Sequence, residues 1–233
     1  VPARDDIDEL IERHGTETIV AAIRPLLSDE RMARIESVLD ARLAGLTVVL
    51  ENLYDPHNGA AALRSAEAFG LCGLHAVESS GAFSASPAIT IGCDKWVEVH
   101  RHPDVDHAAA ALRADGFTLA AAVPSATATV DDLPGEQPLA IWFGNEHMGL
   151  TAAAVLACDV QVGIPMFGFT RSFNLSVSVA LLTSRAAERR RAALGRTGDL
   201  PGEERAYRRA RWYAQDIRGA AEVIDRHVSA RTR

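Results

Sequence analysis

The sequence predicts an α/β domain built on a mainly parallel sheet, with helical segments at both ends. Short apolar, often β-branched runs recur between Leu46 and Ile164, and segments of helical periodicity separate them. The first run, Leu46-Thr47-Val48-Val49-Leu50, is nearly continuous in apolar character, as a strand covered on both faces requires. Outside this region the pattern is helical only, so the strands belong to one central domain.

In chain order, Asp5 to Arg24 reads as helix from Ile7, Leu10 and Ile11 and then Ile19 and Ile23. Pro25 interrupts it, and Ser28 can cap a second helix that runs through Met32, Ile35, Leu39 and Leu43 to Gly45. After the strand at 46–50, Ala60 to Phe69 is helical, with Gly70 as its stop and Asn58 as a natural start residue. Strands follow at 74–77 and 97–100, a helix at 107–114, and strands at 117–123 and 139–143. A helix at 151–157, a strand at 160–164 and a long helix at 174–194 complete the domain. Residues 195–203, containing Gly, Pro and Asp, read as a linker. The stretch 204–228 is a second Arg-rich helical segment carrying Trp212 and Tyr213. This divides the chain into an N-terminal helical module (1–44), a core (45–194) and a C-terminal extension (195–233).

The 233 residues carry a net charge of −7, which by itself disfavours an anionic partner. The charge is unevenly placed. Residues 185–233 hold 13 arginines against 7 acids, whereas the preceding 184 residues hold 11 basic and 24 acidic side chains. Such asymmetry suits a partner that is anionic and local; a solvated Arg-rich helix is the alternative. Cys72, Cys93 and Cys158 are odd in number and have no CxxC spacing, so they read as free thiols of a reducing cytoplasm. No run of about 18 apolar residues exists, so no membrane span is expected. Residues 1–12 do not resemble a signal peptide.

Three segments at strand ends carry unusual chemistry. Glu51-Asn52-Leu53-Tyr54-Asp55-Pro56-His57-Asn58 leads into the helix bearing Arg64, whose one-turn neighbours Ala61 and Ala68 are small. An arginine on such a face suits an external anion, with pairing to an acid such as Glu67 as the structural alternative. Phe143 to Thr151 is a polar loop bracketed by Gly144 and Gly149, at a strand end where α/β folds place ligands. Ile164 to Asn174 opens the long helix, where backbone N–H groups suit a polar ligand edge. His100 and His102 alternate on one strand face, but without a third ligand they do not make a metal site.

In order and spacing these segments resemble the motifs of the SPOUT superfamily of methyltransferases, whose sheet carries a C-terminal trefoil knot. The branch they most resemble is the TrmH-like tRNA guanosine 2′-O-methyltransferases, and the resemblance runs from about Ile35 to Arg191. It implies S-adenosylmethionine as methyl donor, no metal, tRNA as substrate and a homodimer formed through the knot region. It also implies catalytic roles for Asn58, Arg64, Glu146, Ser172 and Asn174, and donor contacts at Ala122, Gly144, Ile164, Met166 and Phe173. Ala122 departs from the hydroxyl residue and Phe173 from the leucine usual in the family, and Asn58-Gly59-Ala60 is atypical after the asparagine. Arg64 is the family's candidate base. Because a guanidinium holds its proton so firmly, anchoring a phosphate and the developing oxyanion is the other role open to it.

The Arg-rich tail makes Arg189, Arg190, Arg191, Arg205, Arg208, Arg209 and Arg211 the expected phosphate contacts, with Trp212 and Tyr213 more suited to core packing than to base stacking. The same chemistry on ribosomal RNA is one alternative. A non-catalytic RNA-binding protein on the same scaffold is another. A dinucleotide-dependent oxidoreductase is disfavoured, since no GxGxxG follows the first strand.

Overall fold

A computed structural model describes residues 4–80, 82–85, 90 and 92–231. They group into two units: Leu43–Asp199, and a helical unit drawn from Val1–Arg42 and Leu200–Arg233. Both chain ends therefore contribute to one unit, although the sequence alone divides them at 44/45 and 194/195.

In the helical unit, the pattern read as one helix over 5–24 is two, α1 (Arg4–His14) and α2 (Thr16–Ile23). Gly15 separates them at φ 78°, a left-handed value that breaks the helix and that glycine tolerates. Ser28 caps α3 (Asp29–Asp40) by accepting the Arg31 N–H, as its position predicts. The C-terminal stretch is likewise two helices, α8 (Gly202–Gln215) and α9 (Ala220–Arg231), with Gly219 at φ 72° between them. Ile7, Ile19, Ile23, Trp212 and Tyr213 are buried, which settles Trp212 and Tyr213 as core residues. Arg42 is fully buried with its guanidinium 5.0 Å from the centre of the Trp212 ring, a cation–π arrangement.

The larger unit holds β1 (Leu46–Glu51), α4 (Pro56–Phe69), β2 (Gly73–Val77), β3 (Glu98–His102), α5 (Val105–Ala114) and β4 (Thr118–Ala122). Then come β5 (Leu139–Phe143), α6 (Ala152–Ala157), β6 (Val160–Val162) and α7 (Leu175–Leu194). The strands form one parallel sheet in the order β3-β2-β1-β5-β4-β6. All six residues of β1 are buried, as its unbroken apolar run requires. Alternation divides them between two cores. Leu46, Val48 and Leu50 join Ala62, Leu63 and Ala66 of α4 and Val179, Leu182 and Ala186 of α7. Val49 faces the other way, with Trp142, and packs with Val105, Ala108 and Leu112 of α5 and Ala154 of α6. Strand order reverses between β1 and β5, so a crevice opens at the carboxyl ends of the central strands.

Candidate active site

The crevice is a cavity of about 380 Å³, within the range of small-molecule sites. Its wall comes from the carboxyl ends of β4 (Ala122, Val123, Pro124), β5 (Phe143, Gly144) and β6 (Val162, Gly163, Ile164). The loop Asn145–Gly149, then Met166, Ser172 and Phe173, and finally Leu175, Ser178 and Leu182 of α7 close it. All five positions expected to meet a donor, Ala122, Gly144, Ile164, Met166 and Phe173, line this one cavity, as do Glu146 and Ser172. The remaining site candidates, Asn58, Arg64 and Asn174, do not.

Asn58 reaches the site indirectly. The helix start assigned to Asn58 belongs instead to Asp55, whose carboxylate accepts the His57 N–H at 2.9 Å, with Pro56 at the first helical position. Asn58 thus sits within the first turn, nearly buried, and its Nδ2 donates to Glu146 Oε1 at 2.5 Å. The turn before it is made by Asn52, the described non-glycine residue with positive φ (50°), whose side chain accepts the Ser80 N–H at 2.9 Å. Arg64 is exposed further along α4, and its charge bears on Cys93. Burial raises the Cys93 thiol pKa and the positive charge of Arg64 opposes that rise. Asn174 is the N-cap of α7: its Oδ1 accepts from the Ser176 N–H at 2.8 Å and from the Ser176 hydroxyl at 2.6 Å.

The loop from 144 to 151 is closed on itself. Asn145 Oδ1 accepts the N–H groups of His147 (3.0 Å) and Met148 (2.8 Å), and the Gly149 N–H donates to Asn145 O at 3.0 Å. Gly144 is required by this closure: a Cβ there would lie 1.9 Å from Gly149 C and 2.0 Å from Leu150 N. The glycine therefore makes room for the loop's own backbone. Tyr54 stands exposed with its ring 6.0 Å from that of His147, edge to face.

The arginines expected to meet phosphate have internal partners. Arg190 is buried, bonded to Asp199 at 2.5 Å and to the carbonyls of Glu136 and Gln137. Arg191 donates to Phe69 O and Thr197 O, and Arg189 to Leu133 O. Arg205 and Arg209 converge on Glu36, Arg208 is buried against Glu204, and buried Arg211 lies 3.2 Å from Asp8. Glu36 and Asp8 lie far from these arginines in sequence, whereas Glu204 and Asp199 lie near theirs, so a count of local charge misses only part of the pairing. Ser178 and Leu182, unassigned from the sequence, also line the cavity, their i, i+4 spacing on α7 being the available signal, and Glu51, which opens the first of the three segments, had no role assigned to it.

A parallel sheet with a ligand-sized cavity at its carboxyl edge, walled by two glycine-bearing loops, defines an α/β enzyme of the ligand-at-the-switch-point kind. The chain belongs to the SpoU rRNA methylase family, whose profile matches residues 45–184. It is 33% identical over 176 residues to the tRNA (guanosine(18)-2′-O)-methyltransferase of Borreliella burgdorferi, covering 75% of this chain and 78% of that one. Identity to the enzyme of the same name from Thermus thermophilus is 35%, over 70% of this chain and 84% of the relative. The crystal structure of the A. aeolicus TrmH/SpoU tRNA modifying enzyme superposes with a TM-score of 0.71 at 26% identity, over 82% of this chain and 98% of that one. The SpoU methyltransferase AviRb from Streptomyces viridochromogenes, solved in complex with AdoMet, superposes with a TM-score of 0.54 at 25% identity, over 66% and 61%.

Proposed function

We propose that this protein transfers the methyl group of S-adenosylmethionine to the ribose 2′-hydroxyl of a tRNA, at the guanosine of position 18. One observation carries the reading: the family match at residues 45–184 spans every residue that lines the cavity. The cavity suits the donor. Ile164, Met166, Phe173 and Leu182 offer apolar surface for a flat base, and the exposed strand-end backbone and Ser178 offer polar partners. When bound, the donor would supply a methyl already activated by a sulfonium: the C–S bond breaks to leave a neutral thioether, the C–O bond forms, and the hydroxyl proton passes to water. The protein's part is alignment and charge. Arg64 holds the phosphate beside the target ribose and stabilises the developing oxyanion. The Asn58–Glu146 pair fixes the loop against α4, and Ser172 and Asn174 shape the entrance to α7.

The reading includes the trefoil knot, supported by how closely the chain after β6 passes the loop after β4: Gly163 N–H donates to Ala128 O at 2.8 Å. It also includes a homodimer, supported by apolar side chains left exposed near the cavity, among them Phe167 (97%), Phe173, Val177 and Leu181. The cytoplasm, where tRNA and donor meet, is its location. Residues 45–194 act as the catalytic core, and the terminal helices as the RNA-recognition part.

The test is transfer of labelled methyl from S-adenosylmethionine to tRNA transcripts, with the product site mapped. Methylation at guanosine 18 is expected, and it should disappear in Arg64→Ala while donor binding persists. Modification of ribosomal RNA instead would reassign the substrate, and donor binding without transfer to any RNA would leave only a binding protein. Arg64→Lys separates the roles of Arg64: partial activity supports anchoring, whereas activity rising steeply with pH supports proton removal.

A further inference from the structure

Glu51 is a charged side chain for which the proposed mechanism has no use, yet it is 2% exposed at the carboxyl end of β1. A carboxylate removed from water to this extent needs compensating donors. Both come from Thr151: its N–H donates to Oε2 at 2.8 Å and its hydroxyl to Oε1 at 2.6 Å. Because the hydroxyl proton goes to Glu51, the Thr151 Oγ lone pairs face the other way and cap α6, accepting the Ala154 N–H at 3.2 Å. Thr151 is also where the loop that walls the cavity ends. Its beginning is held by Gly144 leaving β5 and by the Asn58–Glu146 bond.

We infer that Glu51 is a positioning residue for donor binding, pinning the far end of the 144–151 loop through Thr151. This rests on the reading of the cavity as the donor site. The loop's outer side, Glu146, His147 and Met148, is exposed, so the loop is held by a few contacts: Asn58 on Glu146, Leu150 against the core, and Thr151 on Glu51 at its far end. Release of the Thr151 anchor lets the wall move while the two cores on either face of the sheet keep their contacts. The consequence is weaker donor binding out of proportion to any loss of fold.

The experiment compares wild type, Thr151→Ser and Thr151→Val in the full chain by calorimetry with S-adenosylmethionine, steady-state kinetics and melting of the donor-free protein. Serine retains the hydroxyl and should bind within about twofold of wild type. Valine loses both the proton for Glu51 and the cap, and should weaken donor affinity roughly tenfold, the usual scale for a lost bond to a charged group. That loss should fall on the donor KM more than on kcat. Wild-type affinity in Thr151→Val overturns the inference, as does a loss that follows the melting temperature with KM unmoved. Should Thr151→Val not fold, Glu51→Gln carries the same test, since it keeps the shape but leaves one acceptor oxygen for the two Thr151 donors; wild-type affinity there overturns it equally. If the wild type itself binds no donor, the reading of the cavity falls, and this inference with it.

Discussion

Gly144→Ala is the sharpest perturbation of the cavity wall. The added methyl would lie 1.9 Å from Gly149 C, 2.0 Å from Leu150 N and 2.1 Å from Gly149 O. Ordinary carbon contact begins near 3.4 Å, so the facing backbone must retreat by about 1.5 Å. No side-chain rotation relieves this, because all three neighbours are main-chain atoms. The retreat strains the Gly149 N–H bond to Asn145 O at 3.0 Å and carries Glu146 away from Asn58. A misplacement of about 1 Å can cost on the order of a hundredfold in rate, and the expected fall in kcat/KM for the donor is of that size. The loop is largely exposed, so the melting temperature should change by only a few degrees. Steady-state kinetics with varied S-adenosylmethionine, calorimetry for its affinity and a thermal melt on the same preparation measure these effects. Wild-type donor affinity in Gly144→Ala would refute the idea that this close backbone approach shapes the site.

Further outcomes are expected elsewhere. Burial, and the proximity of His100 and His102, push the His75 pKa down to about 3. The unfolded chain then takes up this proton first, so stability falls as pH drops below about 6.5 and levels off only near 3. The loss between pH 7 and 5 is about 2 kcal/mol, and urea denaturation of His75→Leu should show a flatter profile over that range. Asp199→Ala strips the buried Arg190 of its carboxylate and the Ala44 N–H of its acceptor at 2.5 Å, costing about 3–5 kcal/mol in a chemical melt. The hydrogen bond from Arg209 holds the Glu36 carboxyl below its usual range, with Arg205 assisting, so that stability is present above about pH 4.5 and is lost as pH falls through the lower, folded value. Glu36→Gln should therefore be less stable at pH 7 and show a smaller acid transition. Replacing Arg205 and Arg209 together by Gln should lower stability yet change the salt slope of tRNA binding by less than the roughly 0.7 expected of a single-strand phosphate contact.

Much of this protein was legible in its residues because the deciding physics is local. The β-branched run at 46–50 names a strand buried on both faces, and the glycines at 144 and 149 mark a tight loop at a strand end. The spacing of three segments carries a family resemblance, and all five expected donor positions meet in one cavity. Local pattern also misled where one residue overrules periodicity, as Gly15 does by splitting α1 from α2 and Asp55 by taking the cap that Asn58 was expected to supply. What sequence separation hides, only the tertiary structure decided. Glu51 and Thr151 are 100 residues apart, Asn58 and Glu146 88, and Arg209 and Glu36 173. No periodicity or charge count brings such partners together. The parallel sheet does so for the first two pairs, by setting the carboxyl ends of strands distant in sequence side by side, and the packing of the terminal helices brings Arg205, Arg209 and Arg211 to acids near the start of the chain.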